Sequence, residues 1–219
     1  MCFSSTASFS AGIVLTGIGI ACLKKTNHRS QLLFASIPFI FGIQQFAERI
    51  LWLTLPKSDY YVLQKIATYM YLFFAHVLWP LLVPIAILFV EKTNTRKTIQ
   101  KIFIGAGIIV CLYLAYCLIT FNVKSTIEEY HINYILDYPE VFSNYWIFLY
   151  AMATIAPPFF SHIKRMWILG LTILISYLIT QIFYQNYILS VWCFFSSIIS
   201  LLIYFFVIKI AKNPKNFTI

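Results

Sequence analysis

The sequence predicts an all-α membrane protein, a polytopic bundle of seven transmembrane helices with its N-terminus outside and its C-terminus in the cytoplasm. The composition supports this class, since 61% of the 219 residues are hydrophobic and 11% are charged, against about half and about a quarter in soluble domains. Apolar runs of membrane-spanning length alternate with short polar segments. Lysine and arginine are concentrated in alternate polar segments.

The apolar runs, taken in order, divide the chain into seven spans of one transmembrane domain that covers residues 1–219. A bilayer core about 30 Å thick needs roughly 20 apolar residues per helix. The spans are predicted near 7–23, 32–55, 62–90, 102–122, 141–160, 166–185 and 188–208. Because only Gln185 and Asn186 separate the last two runs, one long broken hairpin is the alternative there.

The positive charges orient the bundle, because short cytoplasmic loops carry the excess of lysine and arginine. Twelve of the 16 basic residues fall on one side: Lys24, Lys25, Arg29, Lys92, Arg96, Lys97, Lys101, Lys164, Arg165, Lys209, Lys212 and Lys215. The other side holds Arg49, Lys57, Lys65 and Lys124. Since lysines follow the first apolar run and none precedes it, we expect a retained helix rather than a cleaved signal.

The net charge of +9 does not indicate a nucleic-acid-binding protein, since that function needs basic residues gathered on one soluble face. We expect the lipid bilayer, with its anionic headgroups, to be the partner of these residues. The acidic residues favour the outer side, where the longest loop, near 122–140, carries four of them together with His131. This loop is predicted to be either a lid or cation-attracting rim, or a solvated hairpin.

The second span carries the main candidate for a site. One helical stripe of this span consists of Pro38, Phe41, Gln45, Glu48 and Trp52. Because a charged group inside the membrane is costly, we expect the stripe to face the bundle interior and burial to favour the protonated form of Glu48. Glu48 is therefore predicted to bind a proton or a cation that arrives from outside. An internal ion pair of Glu48 with Arg49 or Lys65 is the alternative.

Other embedded polar residues extend this candidate site. The third span places His76 near mid-depth and has Pro80 and Pro84 interrupting its hydrogen-bond ladder, as in helices that line cavities or that are simply kinked. Polar residues of the sixth and seventh spans lie toward the outer half, where they also suit plain interhelical hydrogen bonding. The predicted ligand- or proton-binding pocket opens to the outside and comprises Glu48, Gln45, His76, Gln181 and Tyr184.

A metal or thiol centre is a separate hypothesis. Cys2 and Cys193 are both predicted to lie in the outer third of the bundle, and His131 lies in the outer loop. The amine and thiol of a terminal Cys2 would bind a soft metal such as copper, or the thiol would pair with Cys193 in a disulfide. No ligand spacing in the chain requires this metal set, and no catalytic residue or cofactor is indicated.

Several familiar classes are excluded by residues that the chain lacks. A retinal protein needs a lysine deep in its last span, and the seventh span has none before Lys209. A haem held by two imidazoles does not fit, since only His76 of the four histidines lies well inside a span. No zinc-protease, serine-hydrolase or nucleotide-binding motif occurs.

Five short motifs together resemble an uncharacterised family of bacterial multi-span membrane proteins. The motifs are Met1-Cys2-Phe3-Ser4, Ala7-Ser8-Phe9, Gln44-Gln45 with Glu48 to Trp52, Trp79-Pro80, and Ser190-Val191-Trp192-Cys193-Phe194. The resemblance covers nearly the whole chain, with Arg49 as a departure from the small residue of that family. It implies the bacterial cytoplasmic (inner) membrane as the location and implies no chemistry.

Three functions follow as hypotheses. The first is a transporter or sensor that binds a small molecule or ion in the outward pocket around Glu48. The second is a membrane-embedded enzyme with a thiol or metal centre near the outer face. The third is an accessory membrane subunit without a ligand, whose helices pack shut against each other and which has a stable protein partner.

Overall fold

The computed structural model describes residues 5–139 and 143–212, and most of them are helical. The α-helices in chain order are α1 Ser5–Lys25, α2 Arg29–Thr54, α3 Tyr61–Leu72, α4 Trp79–Val90, α5 Asn94–Thr120, α6 Ser143–Thr154, α7 Trp167–Phe183, α8 Ile188–Phe194 and α9 Ser196–Lys212. Two strands, β1 Val123–Glu128 and β2 His131–Leu136, form an antiparallel hairpin. Short 3₁₀ turns cover Ser58–Tyr60, Pro157–Phe160 and Gln185–Tyr187.

Five helical segments among the described residues are long and apolar enough to cross a membrane. They are residues 8–25, 29–54, 58–90, 94–120 and 185–211. The outer surface of the bundle is correspondingly apolar, with Leu112 66% exposed and Ile119 84% exposed. Because many other large apolar side chains are also exposed, this surface indicates surroundings of lipid rather than water, and hence a membrane protein.

The structure differs from the predicted spans chiefly in the second half of the chain. The fifth predicted span, 141–160, contains the short helix α6, which ends at Thr154 ahead of Pro157 and Pro158. Neither proline has an N–H to donate to the preceding turn, so the α-helix cannot continue through them. The seventh predicted span is divided into α8 and α9, with Phe195 between them. Helix α5 begins at Asn94, eight residues before the predicted start, because polar residues 94–101 join its first turns.

Helices α1 and α2 pack closely through glycine. A Cβ atom at Gly19 would lie 2.5 Å from the backbone nitrogen of Phe39, and one at Gly42 would lie 2.5 Å from the hydroxyl oxygen of Thr16. Thr16 donates that hydroxyl to the carbonyl of Gly12 at 2.7 Å, so its polar atom is satisfied within its own helix. Small residues at such contacts allow two membrane helices to approach without gaps.

Helices α3 and α4 join through a π-helical turn, Phe73–Leu78. The N–H of Trp79 donates to the carbonyl of Phe74, five residues earlier. In the same five-residue register, the backbone N–H of residue 80 would donate to the carbonyl of Ala75, but Pro80 has no N–H. The hydroxyl of Tyr150 in α6 donates to the Ala75 carbonyl instead, at 2.7 Å. The irregular turn thus obtains its missing hydrogen bond from a neighbouring helix.

The segment predicted as an outer loop or hairpin is the β-hairpin, joined by a two-residue turn in which Glu129 has φ 53°. Its β2 strand buries His131, Ile132 and Tyr134 against the protein, while Tyr130 in the turn is exposed. The ring of Tyr134 stacks on Tyr71 of α3 with centroids 4.6 Å apart. The hairpin therefore covers the end of the bundle that the charge pattern predicts to be external.

Candidate functional site

Glu48 of α2 lies at the centre of the strongest polar cluster. Its side chain is fully buried, and its Oε1 atom accepts a hydrogen bond from the Ser190 hydroxyl of α8 at 2.6 Å. Glu48 lies six residues before the end of α2, or about 9 Å at 1.5 Å per residue. The 3₁₀ turn 185–187 and the short helix α8 place Ser190 at this depth, facing α2.

Gln45 lies one turn before Glu48 on the same face of α2 and is 1% exposed. Neither its amide nitrogen nor its amide oxygen has a hydrogen-bond partner among residues 5–139 and 143–212. The indole nitrogen of Trp52, one turn beyond Glu48, is likewise buried without a hydrogen bond within those residues. Buried polar atoms of native proteins are nearly always satisfied by protein or water, so this face of α2 has unused capacity for a polar ligand, an ion or water.

The two cations proposed as alternative partners of Glu48 lie against aromatic rings. The guanidinium of Arg49 lies 4.0 Å from the ring centroid of Phe9, and the ammonium of Lys65 lies 5.9 Å from that of Tyr69. Contacts of this kind stabilise a cation beside an apolar surface. Arg49, the residue that departs from the resembled family, thus packs its charged group on α1.

A chain of aromatic contacts connects the hairpin to this cluster. Tyr71, fully buried, donates its hydroxyl to the backbone carbonyl of Leu189 at 2.6 Å. Leu189 immediately precedes Ser190, the partner of Glu48. Because Tyr134 stacks on Tyr71, the position of the hairpin fixes Tyr71, and Tyr71 in turn fixes the start of α8. The hairpin therefore helps to position the hydroxyl that reaches Glu48.

Two more contacts attach the hairpin to the turn before α8. His131 stacks on Tyr187 with centroids 4.6 Å apart, and Tyr184 lies near the same imidazole with centroids 5.4 Å apart. Tyr187 donates its hydroxyl to Glu128 at 3.3 Å. The amide of Asn133 also donates to Glu128, at 2.9 Å, and this hydrogen bond lowers the pKa of the carboxyl group. A carboxylate ionised at neutral pH thus joins the hairpin to residues 184–187.

We expect the buried imidazole of His131 to make hairpin docking pH-dependent. Burial lowers the pKa of His131, with the nearby Glu129 carboxylate acting in the opposite direction. The unfolded state then binds more protons, so the free energy of unfolding falls as the pH drops below about 6.5, the ordinary pKa of histidine. We expect His131→Phe to flatten this part of the profile, measured by denaturation in detergent at several pH values.

The matched control for that measurement is His28→Phe, which changes the partly exposed histidine before α2 at the opposite end of the bundle. It should leave the acid dependence as steep as in the unmodified protein. An equally steep dependence in His131→Phe would contradict the role given to His131.

The other predicted pocket residues make contacts of their own. His76 is buried in the π-helical turn, where its Nδ1 atom lies 3.3 Å from the Tyr138 hydroxyl. Tyr184 contacts His131 of the hairpin. Gln181 is half-buried near the end of α7. The structure brings Gln45, Glu48 and Ser190 together, and the larger pocket that also includes His76, Gln181 and Tyr184 stays a prediction.

The proposed metal set falls mostly outside the described part of the chain. Cys2 precedes the described residues, and Cys193 belongs to α8 although its side chain is not described. His131 contacts two tyrosine rings. Within residues 5–139 and 143–212, no group of three His, Cys, Asp or Glu side chains is placed to hold a metal ion.

Sequence reasoning missed a contact between a buried carboxylate and an imidazole at the opposite end of the bundle. Glu91 follows α4, and its fully buried carboxylate lies 2.6 Å from Nδ1 of His162. The backbone N–H of His162 donates to the same carboxylate at 3.1 and 3.2 Å. The one available signal was that Glu91 is the single acid on the basic side of the chain. No spacing between Glu91 and His162 indicates that they meet.

Comparison with protein-family models finds one described as a family of unknown function (DUF6629), which matches residues 1–216. No curated protein and no solved structure matches the chain.

Proposed function

We propose that this chain, which belongs to the family of unknown function DUF6629, is a membrane transporter or sensor that binds a proton or small cation at Glu48. The observation that carries the proposal is the fully buried Glu48 carboxyl group, bonded to Ser190 and one helical turn from the amide of Gln45, which has no hydrogen-bond partner within the described residues. A carboxylate, an amide oxygen and a hydroxyl are the oxygen donors that hard cations take in proteins. If Glu48 is protonated instead, its uncharged carboxyl group would act as a hydrogen-bond donor to the same neighbouring groups.

The topology in this proposal is that of the charge pattern: seven spans, the N-terminus outside and the C-terminus in the cytoplasm, in a bacterial inner membrane. The five long apolar segments support it, with α6 and α7 as the two additional spans. Helix α7, with 17 residues, is about 26 Å long, slightly less than a typical hydrocarbon core. Helix α6 would cross together with the 3₁₀ turn 157–160 that follows it.

Ionisable groups buried inside membrane proteins typically belong to ion or proton pathways, which favours a functional role for Glu48. Ligand or ion would approach from the hairpin end, which Glu128 and Glu129 make acidic. Alternating protonation of Glu48 would then change the hydrogen bond with Ser190 and, through Leu189 and Tyr71, the docking of the hairpin. This sequence of contacts couples occupancy at Glu48 to the outer surface.

Infrared difference spectroscopy of the protein in liposomes tests the proposal, with pH, Na⁺ and K⁺ as the varied quantities. We expect a carboxyl C=O band from a buried acid that changes with pH or with one cation. Glu48→Gln should abolish that change, because the amide cannot ionise. Glu129→Gln, which removes an exposed acid of the hairpin turn, is the matched control and should leave the change intact.

If the signal of Glu48→Gln equals that of the unmodified protein, Glu48 does not bind the proton or cation. A complete absence of pH and cation dependence in the unmodified protein, together with a protein partner that stays bound in mild detergent, would favour the accessory subunit instead.

A further inference from the structure

An apolar cavity lies between the helices of the bundle. Its lining follows one face of α2 from Phe34 to Gln44 and one face of the α3–α4 segment from Ala75 to Ile87. Ten residues of helix span about 15 Å, so the cavity is elongated along the helix axes. Residues of α6, α7, α8 and α9 line its other sides. Glu48, Gln45 and Ser190 do not line it, so it is separate from the proposed ion site.

Gln44 is the polar residue that distinguishes one end of this cavity. Its side-chain oxygen accepts a hydrogen bond from the indole N–H of Trp79 at 2.9 Å. Because an indole nitrogen only donates, the amide oxygen must face Trp79 and the amide NH₂ must face away from it. Gln44 is 1% exposed, and this NH₂ has no hydrogen-bond partner among residues 5–139 and 143–212.

The other polar groups along the wall are already engaged. The hydroxyl of Tyr150 donates to the Ala75 carbonyl, and that of Thr154 donates to the Tyr150 carbonyl at 2.8 Å. The indole N–H of Trp192 donates to the Ser176 hydroxyl at 3.0 Å. None of the lining residues in the described part of the chain is charged. Within the described part of the chain, the Gln44 NH₂ is therefore the side-chain donor of this wall that remains available.

We propose that the cavity binds a linear, uncharged alkyl chain with a hydrogen-bond acceptor, such as an ester or ketone oxygen, at the Gln44 end. The elongated apolar wall fits a single hydrocarbon chain, and its lack of charge excludes an ionised headgroup inside the cavity. The oriented NH₂ of Gln44 requires an acceptor, and burial without one is unfavourable. Ala75 and Leu189 line the same end as Gln44, so the acceptor lies toward the hairpin side of the bundle.

Tryptophan quenching tests this site on the full chain in detergent, because Trp79 and Trp192 both line the cavity. The probe is methyl nonanoate brominated at the far end of its chain. We expect saturable quenching that unlabelled methyl nonanoate reverses and that decane reverses less well. Val83→Phe, which fills the cavity from α4, should abolish the saturable quenching. If that variant does not fold, Ile173→Phe fills the cavity from α7 and serves the same purpose.

Gln44→Met keeps the shape of the side chain and removes its NH₂, so it should weaken ester binding about three- to tenfold, the value of one hydrogen bond. Decane binding should not change. Gln31→Met is the matched control, since Gln31 is a buried glutamine of the same helix that does not line the cavity. Absence of saturable quenching in the unmodified protein overturns the site. If the unmodified protein and Gln44→Met bind the ester with equal affinity, the proposal that Gln44 binds a hydrogen-bond acceptor of the ligand is wrong.

Discussion

Replacing Gly107 by leucine should prevent the chain from folding into a stable bundle. Gly107 of α5 faces the backbone carbonyl of Pro80 in α4, and a Cβ atom at this position would overlap the carbonyl oxygen. The obstacle is backbone, which cannot turn aside as a flexible side chain can. Overpacking typically costs about 1–3 kcal/mol when side chains can adjust, and we expect more where two helices must separate.

The prolines of α4 explain this close approach. In a regular α-helix the Pro80 carbonyl would accept the N–H of residue 84, but Pro84 has none. The Pro80 carbonyl therefore lacks its regular helical donor and can face the backbone of a neighbouring helix, where Gly107 leaves room for it. The glycine in α5 is therefore needed because of prolines in α4.

The chain offers a matched control two residues away. A Cβ atom at Gly105 would meet no other atom within 4 Å, so Gly105→Leu should be tolerated. The two variants add the same apolar side chain to the same helix and differ only in the facing contact. Yield of monodisperse protein and thermal midpoint in detergent would measure the difference. Equal behaviour of the two variants would show that α4 and α5 do not meet at Gly107.

Replacing Glu91 by alanine should destabilise the opposite end of the bundle by about 1–3 kcal/mol, the usual result of removing one partner from a buried hydrogen bond. The carboxylate is fully buried and takes three contacts from His162, two from its backbone N–H and one from its imidazole. Alanine supplies no acceptor for either group. The connection from the end of α4 to the segment before α7 would then lose its polar attachment.

Glu91→Gln separates the two parts of this interaction. The amide keeps an acceptor for the backbone N–H and loses the negative charge beside the imidazole, so we expect a smaller loss than in Glu91→Ala. Chemical denaturation in detergent, followed by circular dichroism, provides the free energies. If Glu91→Ala unfolds at the same denaturant concentration as the unmodified protein, the buried carboxylate does not contribute to stability.

Periodicity and composition predicted the helical class because burial in lipid demands long apolar runs with internal backbone hydrogen bonds. The second span shows the same logic at the level of single residues. Gln45 and Glu48 were expected to face inward since lipid excludes them, and both are buried in the structure. Helical spacing within one span was sufficient for that inference.

Features that depend on two distant segments could not be predicted in the same way. The Glu48–Ser190 hydrogen bond joins residues 142 positions apart, and the Glu91–His162 pair joins residues 71 positions apart. The π-helical turn is a further case, because the proline signal does not reveal that Tyr150 will supply the missing hydrogen bond. The division of the last span into α8 and α9 likewise arises from packing.

The aromatic stack of Tyr134 on Tyr71 also has a kinetic consequence. In the proposed function, the stacked rings belong to the series of contacts that leads from the hairpin through Leu189 and Ser190 to Glu48. We therefore expect the rate at which Glu48 equilibrates with the aqueous phase to follow the opening frequency of the hairpin rather than the intrinsic acidity of the group. The β-hairpin would then control how fast Glu48 equilibrates with the aqueous phase, and a substitution that loosens its turn would increase that rate.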